Sequence, residues 1–311
     1  MKDNVLASRL VCAAAGGLVL LGFLVLAIKL KVVQLEQSAL YKNKQEAQSV
    51  RTVLTAGLRG HILDCQGRPL ADNKILRQIV VRPEVYQKKS TESTISNLVE
   101  AIGKAERILG RQSPLSERSV GRHVRQVLAL PLVVWSDASE EDLARFYEHE
   151  GELPGFSCEV EFSRRYPHGA LAAHLLGRVG RDSIRAVTGE RRVNFDDREM
   201  RGREGVERFY DAFLRGRPGT ENVLVDARGF AIRRWTVVEA KKGPDLRLAL
   251  DIDIQRAAEE ALAGRRGACV VLDANTGDVL AAASAPTYDL NACVPILTQA
   301  HYAELKDDPQ K

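Results

Sequence analysis

The residues with which this 311-residue chain could do chemistry are its carboxylates, its six histidines and its five cysteines, and their spacing assembles no reactive set. Two neighbouring carboxylates serve as acid and base when their surroundings push their pKa values apart. The pairs Asp196-Asp197 and Glu204/Glu207 have the proximity, but they lie in arginine-rich sequence, where salt-bridged surface is the better reading. The histidines (His61, His123, His149, His168, His174, His301) are scattered. His168 and His174 stand six apart, whereas ligands sharing a helix face stand three or four apart. Acyl transfer by serine needs a base beside the hydroxyl, and Ser-x-x-Lys, Ser-x-Asn, Lys-Thr-Gly and Gly-x-Ser-x-Gly do not occur. Neither do a phosphate-binding loop, Gly-x-Gly-x-x-Gly or His-Glu-x-x-His. Cys12 lies in an apolar run; Cys65, Cys158, Cys269 and Cys293 follow, and no spacing selects a disulfide pairing. Cys158 and Cys269, on predicted strands, read as small buried hydrophobes. The residues therefore assign no catalytic group, no metal ligand and no cofactor site.

Composition narrows the class. With 45% hydrophobic and 28% charged residues, the chain is neither collagenous, wholly disordered nor polytopic. Its net charge of +4 is too small to argue for nucleic acid. The charge is uneven: Arg164 to Arg234 holds sixteen arginines, no lysine and ten acids. That stretch suits anionic headgroups or an acidic partner, but a solvated face in an arginine-preferring sequence is the simpler reading. Leu10 to Ile28 is an uncharged, mostly apolar run of 19 residues. As a helix it reaches roughly 28 Å, close to the ~30 Å hydrocarbon core of a lipid bilayer. It exits into Lys29-Leu30-Lys31 without the small-x-small site of a cleaved signal, so it reads as a single-pass anchor behind a 1–9 tail. Lys2 and Arg9 balance Lys29 and Lys31, so flanking charge leaves the orientation open.

Beyond the anchor, residues 29–55 read as a juxtamembrane stalk helix. Arg59 to Ala71 alternates around a glycine turn as a hairpin, and Ile79 to Val81 is a short strand. Apolar spacing predicts helices over Ile95 to Leu109 and Val120 to Leu130, with a strand at Leu132 to Trp135. Ser139 caps a helix with acids in its first turn. A strand over Gly155 to Phe162, a small-residue helix over Pro167 to Leu176 and a hairpin over Val223 to Ile232 follow. Lys241 to Pro244 is a linker. After it come a strand at Leu246 to Leu250, a helix through Ile254 to Leu262, and strands Ala268 to Asp273 and Asp278 to Ser284 around Ala274-Asn275-Thr276-Gly277. The fold class is α+β, closing on the start of an α/β domain. Two strands are marginal alone, and Val270, Leu272 and Val279 lack a facing layer, so that domain is expected to be incomplete within these residues.

Five motifs, in order, resemble the class B penicillin-binding proteins. They are Arg59-Gly60-His61-Ile62-Leu63-Asp64-Cys65-Gln66-Gly67-Arg68-Pro69-Leu70-Ala71; Arg165-Tyr166-Pro167-His168-Gly169 with Ala172-Ala173-His174-Leu175-Leu176-Gly177; Gly202-Arg203-Glu204-Gly205-Val206-Glu207-Arg208-Phe209-Tyr210-Asp211 with Leu214-Arg215-Gly216-Arg217-Pro218-Gly219; Leu250-Asp251-Ile252-Asp253-Ile254-Gln255; and Val270 to Ala281, carrying Asp273 and Gly277, with Ser284-Ala285-Pro286-Thr287-Tyr288-Asp289-Leu290-Asn291. The tail through Cys293, Pro295 and His301 to Pro309 resembles the elongation-type branch. Cys65, Ala249 and Leu290 stand where the family usually has Arg, Thr and Pro.

The resemblance implies a peptidoglycan D,D-transpeptidase that binds penicillin, anchored in the bacterial cytoplasmic membrane with its bulk on the periplasmic side. It implies a pedestal and dimerisation domain over 56–241, with a polytopic glycosyltransferase and a rod-shape scaffold protein as partners. A transpeptidase domain would begin over 245–311. The family's Ser-x-x-Lys lies beyond the last position here, so stem-peptide cross-linking is expected only where the rest of that domain is supplied. The motif residues are expected to be structural. A non-catalytic module that activates the glycosyltransferase, or a truncated gene product, are the alternatives.

Overall fold

The computed structural model describes residues 17, 20–32, 49–181, 193–196, 200–295, 297, 302–303 and 306. The chain divides into two compact units, Met1–Val50 and Arg51–Lys311. In the first, residues 20–31 are helical, with Leu20, Phe23, Leu26 and Leu30 exposed. Among the described residues no helix is long and apolar enough to cross a membrane. Residues 10–16, 18 and 19 of the predicted anchor, and 33–48 of the predicted stalk, lie outside the described residues.

From Val50 onward the elements are β1 (Val50–Thr55), β2 (Ile62–Leu63), β3 (Pro69–Val81), α1 (Thr91–Leu109), α2 (Glu117–Gln126), β4 (Leu132–Trp135), α3 (Glu140–Glu148), β5 (Phe156–Arg165), α4 (Ala173–Leu176), β6 (Val179–Arg181), β7 (Val193–Asp196), β8 (Met200–Gly202), α5 (Gly205–Phe209), α6 (Asp211–Leu214), β9 (Gly219–Val225), β10 (Ala231–Val238), β11 (Leu246–Arg247), α7 (Ile252–Ala261), β12 (Gly267–Leu272) and β13 (Val279–Ala285).

β1 corrects the predicted stalk, which is not helical over its last six residues. Val50, Thr52, Val53 and Thr55 are β-branched, which stiffens χ1 and suits a pleated surface. The strand lies in a sheet of order β10-β9-β1-β7, and Val53 packs with Val223 and Val225 of β9. A second sheet has the order β11-β2-β3-β4, with β5 also on β3. Ile79 to Val81 is the end of the thirteen-residue β3, which pairs with β5 along ten residues from Asp72↔Arg165 to Val81↔Phe156. Ser90, Ser116 and Ser139 cap α1, α2 and α3, and Ser139 forms a capping box with Asp142. The predicted helix over Pro167 to Leu176 shrinks to α4, because Gly169 and Ala172 adopt left-handed φ of 61° and 55°.

Two cores result. One joins Ile79 and Val81 to Leu98, Leu109, Trp135 and Phe146, between the end of β3 and α1–α3. The other joins Ile62, Leu70, Tyr166, Leu176 and Leu214 to Leu250, Ile252 and Leu290. Leu246, expected to open a later domain, instead pairs in parallel with Ile62. Packing therefore runs across the predicted linker without a break. The β12–β13 hairpin lays Ala281 and Ala283 on α7 beside Ala258, and leaves Val270, Leu272 and Val279 exposed. Cys65, Cys158 and Cys269 are half-buried free thiols rather than fully buried, and Cys293 is buried and free.

Candidate functional site

Three polar joints hold the second core together, and the motif residues fall on them. The deepest centres on Glu207, which α5 carries with no exposed surface. Arg59 donates from Nε to Glu207 Oε2 at 2.7 Å, from Nη2 to the Glu207 carbonyl at 2.9 Å, and from Nη1 to Asp211 Oδ1 at 2.7 Å. Arg164 on β5 donates from Nε to Glu207 Oε1 at 2.7 Å and from Nη1 to the Gly60 carbonyl at 2.7 Å. The Tyr166 hydroxyl donates to Glu207 Oε1 at 3.4 Å. Burial alone would lower the Arg59 pKa, but Glu207 and Asp211 outweigh it and raise it. Burial raises Tyr166, and Glu207 adds to it, so the hydroxyl stays protonated as a donor. The reading of Glu204/Glu207 as salt-bridged surface therefore holds for Glu204, which meets Arg178 at 3.0 Å, and fails for Glu207. The side chains of Asp196 and Asp197 lie outside the described residues.

Backbone approach brings these groups together. A Cβ on Gly60 would stand 1.9 Å from the Pro244 carbonyl. Gly177 and Gly205 face each other with φ of 71° and 59°, and a Cβ on Gly177 would stand 2.0 Å from the Glu204 carbonyl. Gly216, Pro218 and Gly219 lead from α6 into β9, where Arg217 pairs with Lys241.

The second joint is the turn between β2 and β3. Buried Asp64 accepts from the Gln66 and Arg68 amides and, at 2.7 Å, from Arg68 Nε; Gly67 closes the turn with φ of 85°. Arg68 and Gln66 then reach Asp253 Oδ2 at 2.7 Å and Asp251 Oδ2 at 2.9 Å. Cys65, one of the departures from the family pattern, donates its thiol to Asp251 at 3.5 Å. Asp251 also caps α7, accepting from the Asp253 amide at 2.8 Å. Burial pushes Asp64 and Asp251 up, but the hydrogen bonds each accepts hold both below the ordinary aspartate range.

The third joint grips the Tyr166-Pro167 turn. Asn291 accepts from the Tyr166 amide at 3.0 Å and donates to the Tyr166 carbonyl at 2.9 Å, while Asp289 accepts from the Asn291 amide. His174 reaches the Pro286 carbonyl at 2.9 Å. Buried Gln255 clasps Ala282 of β13 through both its amide atoms and donates to Glu259, which accepts the Ala172 amide at 2.7 Å. Arg165 pairs with Asp72 at the surface, Asp273 and Gly277 close the β12–β13 turn, and Tyr210 is exposed beside Phe209.

Sequence reasoning missed Arg164, Arg68, Gln66, Asp211 and Glu259 as joint residues. A signal existed for Arg164, because neighbours on a strand face opposite ways and tandem arginines turn one inward. Another existed for Glu259, one helical turn beyond Gln255. No serine with a lysine or histidine beside it occurs in these joints; the one thiol, Cys65, faces the Asp251 carboxylate, and burial and that carboxylate raise its pKa and keep it protonated. A cleft of about 290 Å³ lined by Arg59, Asn73, Phe162, Arg164 and Arg215 holds no Ser, Lys or His. Among the described residues no group of His, Cys, Asp and Glu could hold a metal ion.

This architecture is that of a class B penicillin-binding protein, and the chain belongs to that family: residues 54–248 match the Penicillin-binding Protein dimerisation domain. It is similar to the peptidoglycan D,D-transpeptidase MrdA of Acinetobacter baumannii, 30% identical over 94% of this chain and 42% of that protein. It is also similar to the MrdA of Escherichia coli K12, 31% identical over 97% of this chain and 46% of that protein. The chain thus spans just under half the length of these curated relatives. In fold it resembles penicillin-binding protein 2 of Helicobacter pylori, solved in complex with MreC, with a TM-score of 0.62 and 24% identity over 83% of this chain and 47% of that one. The sequence resemblance to the elongation-type branch is thereby borne out.

Proposed function

We propose that the chain is the membrane-anchored pedestal of an elongation-type peptidoglycan D,D-transpeptidase, a platform that fixes how a catalytic domain stands over its partners. The observation that carries this reading is that two of the joints span the two segments: Arg68 to Asp251 and Asp253, and Tyr166 to Asn291. They lock the pedestal motifs onto the segment that resembles the opening of the transpeptidase domain. A platform built this way passes a push on the pedestal to α7 and β13 without a hinge.

In this reading residues 10–28 anchor the chain in the bacterial cytoplasmic membrane, and the bulk faces the periplasm. The exposed Val270, Leu272 and Val279 receive further strands of the transpeptidase sheet. Cross-linking of stem peptides, and penicillin binding with it, needs a serine activated by a lysine. These 311 residues contain no Ser-x-x-Lys, so the chain is not catalytic alone. The H. pylori relative's complex with MreC supports a rod-shape scaffold protein as one partner. A polytopic cell-wall glycosyltransferase is the other.

Tagged full-length chain, solubilised from its own cells, tests the reading. It is expected to recover the scaffold protein and the glycosyltransferase; recovery of neither would refute the pedestal role. In a second reading the pedestal alone activates the glycosyltransferase. It expects glycan polymerisation to rise when this chain is added to the purified enzyme.

A further inference from the structure

We infer that the cleft beside the third joint binds an extended protein segment that presents an acidic, an apolar and an amide side chain on one face. The cleft measures about 610 Å³, within the range of ligand sites. Its floor is one face of the β3–β5 ladder. Lys74, Leu76 and Gln78 alternate along β3 and so share that face, and Ser163 lies on it through its register with Lys74. All four line the cleft, whereas Asn73, Ile75 and Arg77, which point the other way, do not. The floor deepens along the strand: the Lys74 side chain is 54% exposed, Leu76 is half-buried and Gln78 is 5% exposed. Two polar groups on this floor are buried without a partner. The side chains of Gln78 and Ser163 make no hydrogen bond among the described residues. Buried Arg59, Asp64, Glu207 and Gln255, by contrast, are all bonded. A primary amide carries two N–H donors and a carbonyl acceptor, so Gln78 holds both kinds of group ready at the bottom of the cleft. Keeping them buried and unbonded costs stability, which a ligand with matching groups would restore.

The spacing of the floor selects the ligand. Lys74, Leu76 and Gln78 stand about 6.7 Å apart along the strand. An extended chain of L-residues presents every second side chain on one face at the same repeat. Laid along β3, it sets three side chains over three floor residues. A carboxylate meets the Lys74 ammonium and the Ser163 hydroxyl, an apolar side chain meets Leu76, and an amide exchanges donor and acceptor with Gln78. Reading alternate side chains at separate contacts is how extended peptides are distinguished. Lys74 can take the carboxylate, because its 3.8 Å contact with Asp137 joins two side chains that are each more than half exposed. Glu161 and Glu159, across the ladder from Leu76 and Gln78, line a neighbouring cleft and have partners of their own. Pro167 and Val294 add apolar wall. A neutral glycan would bond Gln78 but offers no charge to Lys74. Tyr166 and Asn291 line the same cleft, so the segment lies beside the contact that ties the pedestal to residues 286–295. The inference rests neither on the proposed anchoring nor on the proposed partners.

Two fluorescein-labelled peptides, Glu-Ala-Leu-Ala-Gln-amide and its reverse Gln-Ala-Leu-Ala-Glu-amide, cover both strand directions. Fluorescence anisotropy is read on the full chain in detergent. Saturable binding of at least one peptide is expected below about 1 mM. Gln78→Met keeps the shape but removes the amide, and is expected to weaken binding at least about tenfold. Ser163→Ala and Lys74→Gln are expected to weaken it about threefold each, and Arg77→Gln, on the opposite face, to leave it unchanged. Gln78→Met is also expected to leave Tm unchanged or raise it, because the free chain loses no hydrogen bond. A lower Tm would show that Gln78 is already bonded and would overturn the inference. So would saturable binding of neither peptide, or binding that Gln78→Met, Ser163→Ala and Lys74→Gln all leave intact. Saturable binding of an N-acetylglucosamine tetramer in place of both peptides, lost in Gln78→Met, would assign the cleft to a glycan and overturn the peptide.

Discussion

Replacing Glu207 by Gln is the sharpest perturbation the structure offers. The substitution keeps the shape and one carbonyl acceptor but removes the charge between two guanidinium groups. Those side chains are only 5% and 1% exposed, so water does not take over the lost bonds. Removing one partner from a buried pair costs about 3–5 kcal/mol, mostly as the penalty of the charge left behind. Asp211 still serves Arg59 at 2.7 Å, and the Gly60 carbonyl still serves Arg164, which places the expected loss near 3 kcal/mol. That is a large share of a total stability of roughly 5–15 kcal/mol. At about 2–4 °C per kcal/mol for a fold of this size, Tm is expected to fall by about 10 °C. Circular dichroism during thermal and urea unfolding of the full chain in detergent reads it. Arg165→Ala, which breaks the surface pair with Asp72, is the internal reference and is expected to cost under ~1 kcal/mol. A Glu207→Gln variant no less stable than Arg165→Ala would refute the claim that this joint holds the core.

Acid is expected to weaken the second joint. Asp64 and Asp251 have folded pKa values below their unfolded ones, so their contribution is fully present above the free aspartate value of about 3.9 and is lost as pH falls through the folded values. Unfolding free energy measured downward from pH 6 should drop in that window, and more shallowly in Asp64→Asn. Gly205→Ala forces a side chain onto a φ of 59° with its Cβ 2.4 Å from the Leu175 carbonyl, and should lower stability by at least ~2 kcal/mol in urea unfolding. Asn291→Ala strips both main-chain partners from Tyr166, costing about 1–3 kcal/mol locally. Hydrogen exchange should rise over residues 286–295 while α1–α3 keep their protection.

Local chemistry made much of the fold legible. The Ser139 capping box, the apolar face of α1 and the two late hairpins all follow from signals within a few residues. Non-local pairing was hidden. Leu246 joins Ile62 across 184 positions in parallel, and no short pattern announces a two-residue parallel bridge. Local pattern assigns β1 to the stalk because its partners, β9 and β7, lie more than a hundred residues away. The burial of Glu207 is invisible in composition, because arginine-rich sequence looks the same whether its ion pairs are solvated or buried. The family resemblance implies a structural role for Glu207, and the position of Arg59 and Arg164 beside it explains its burial.

Covalent labelling with a fluorescent penicillin, followed by mass spectrometry of the intact 311-residue chain, tests most directly the claim that these residues form a platform rather than an active site. The chain is expected to carry no acyl adduct, while a full-length MrdA-type transpeptidase labelled in parallel does. A stoichiometric adduct on this chain would contradict the account, because it would require an activated serine that neither the sequence nor the three joints provide.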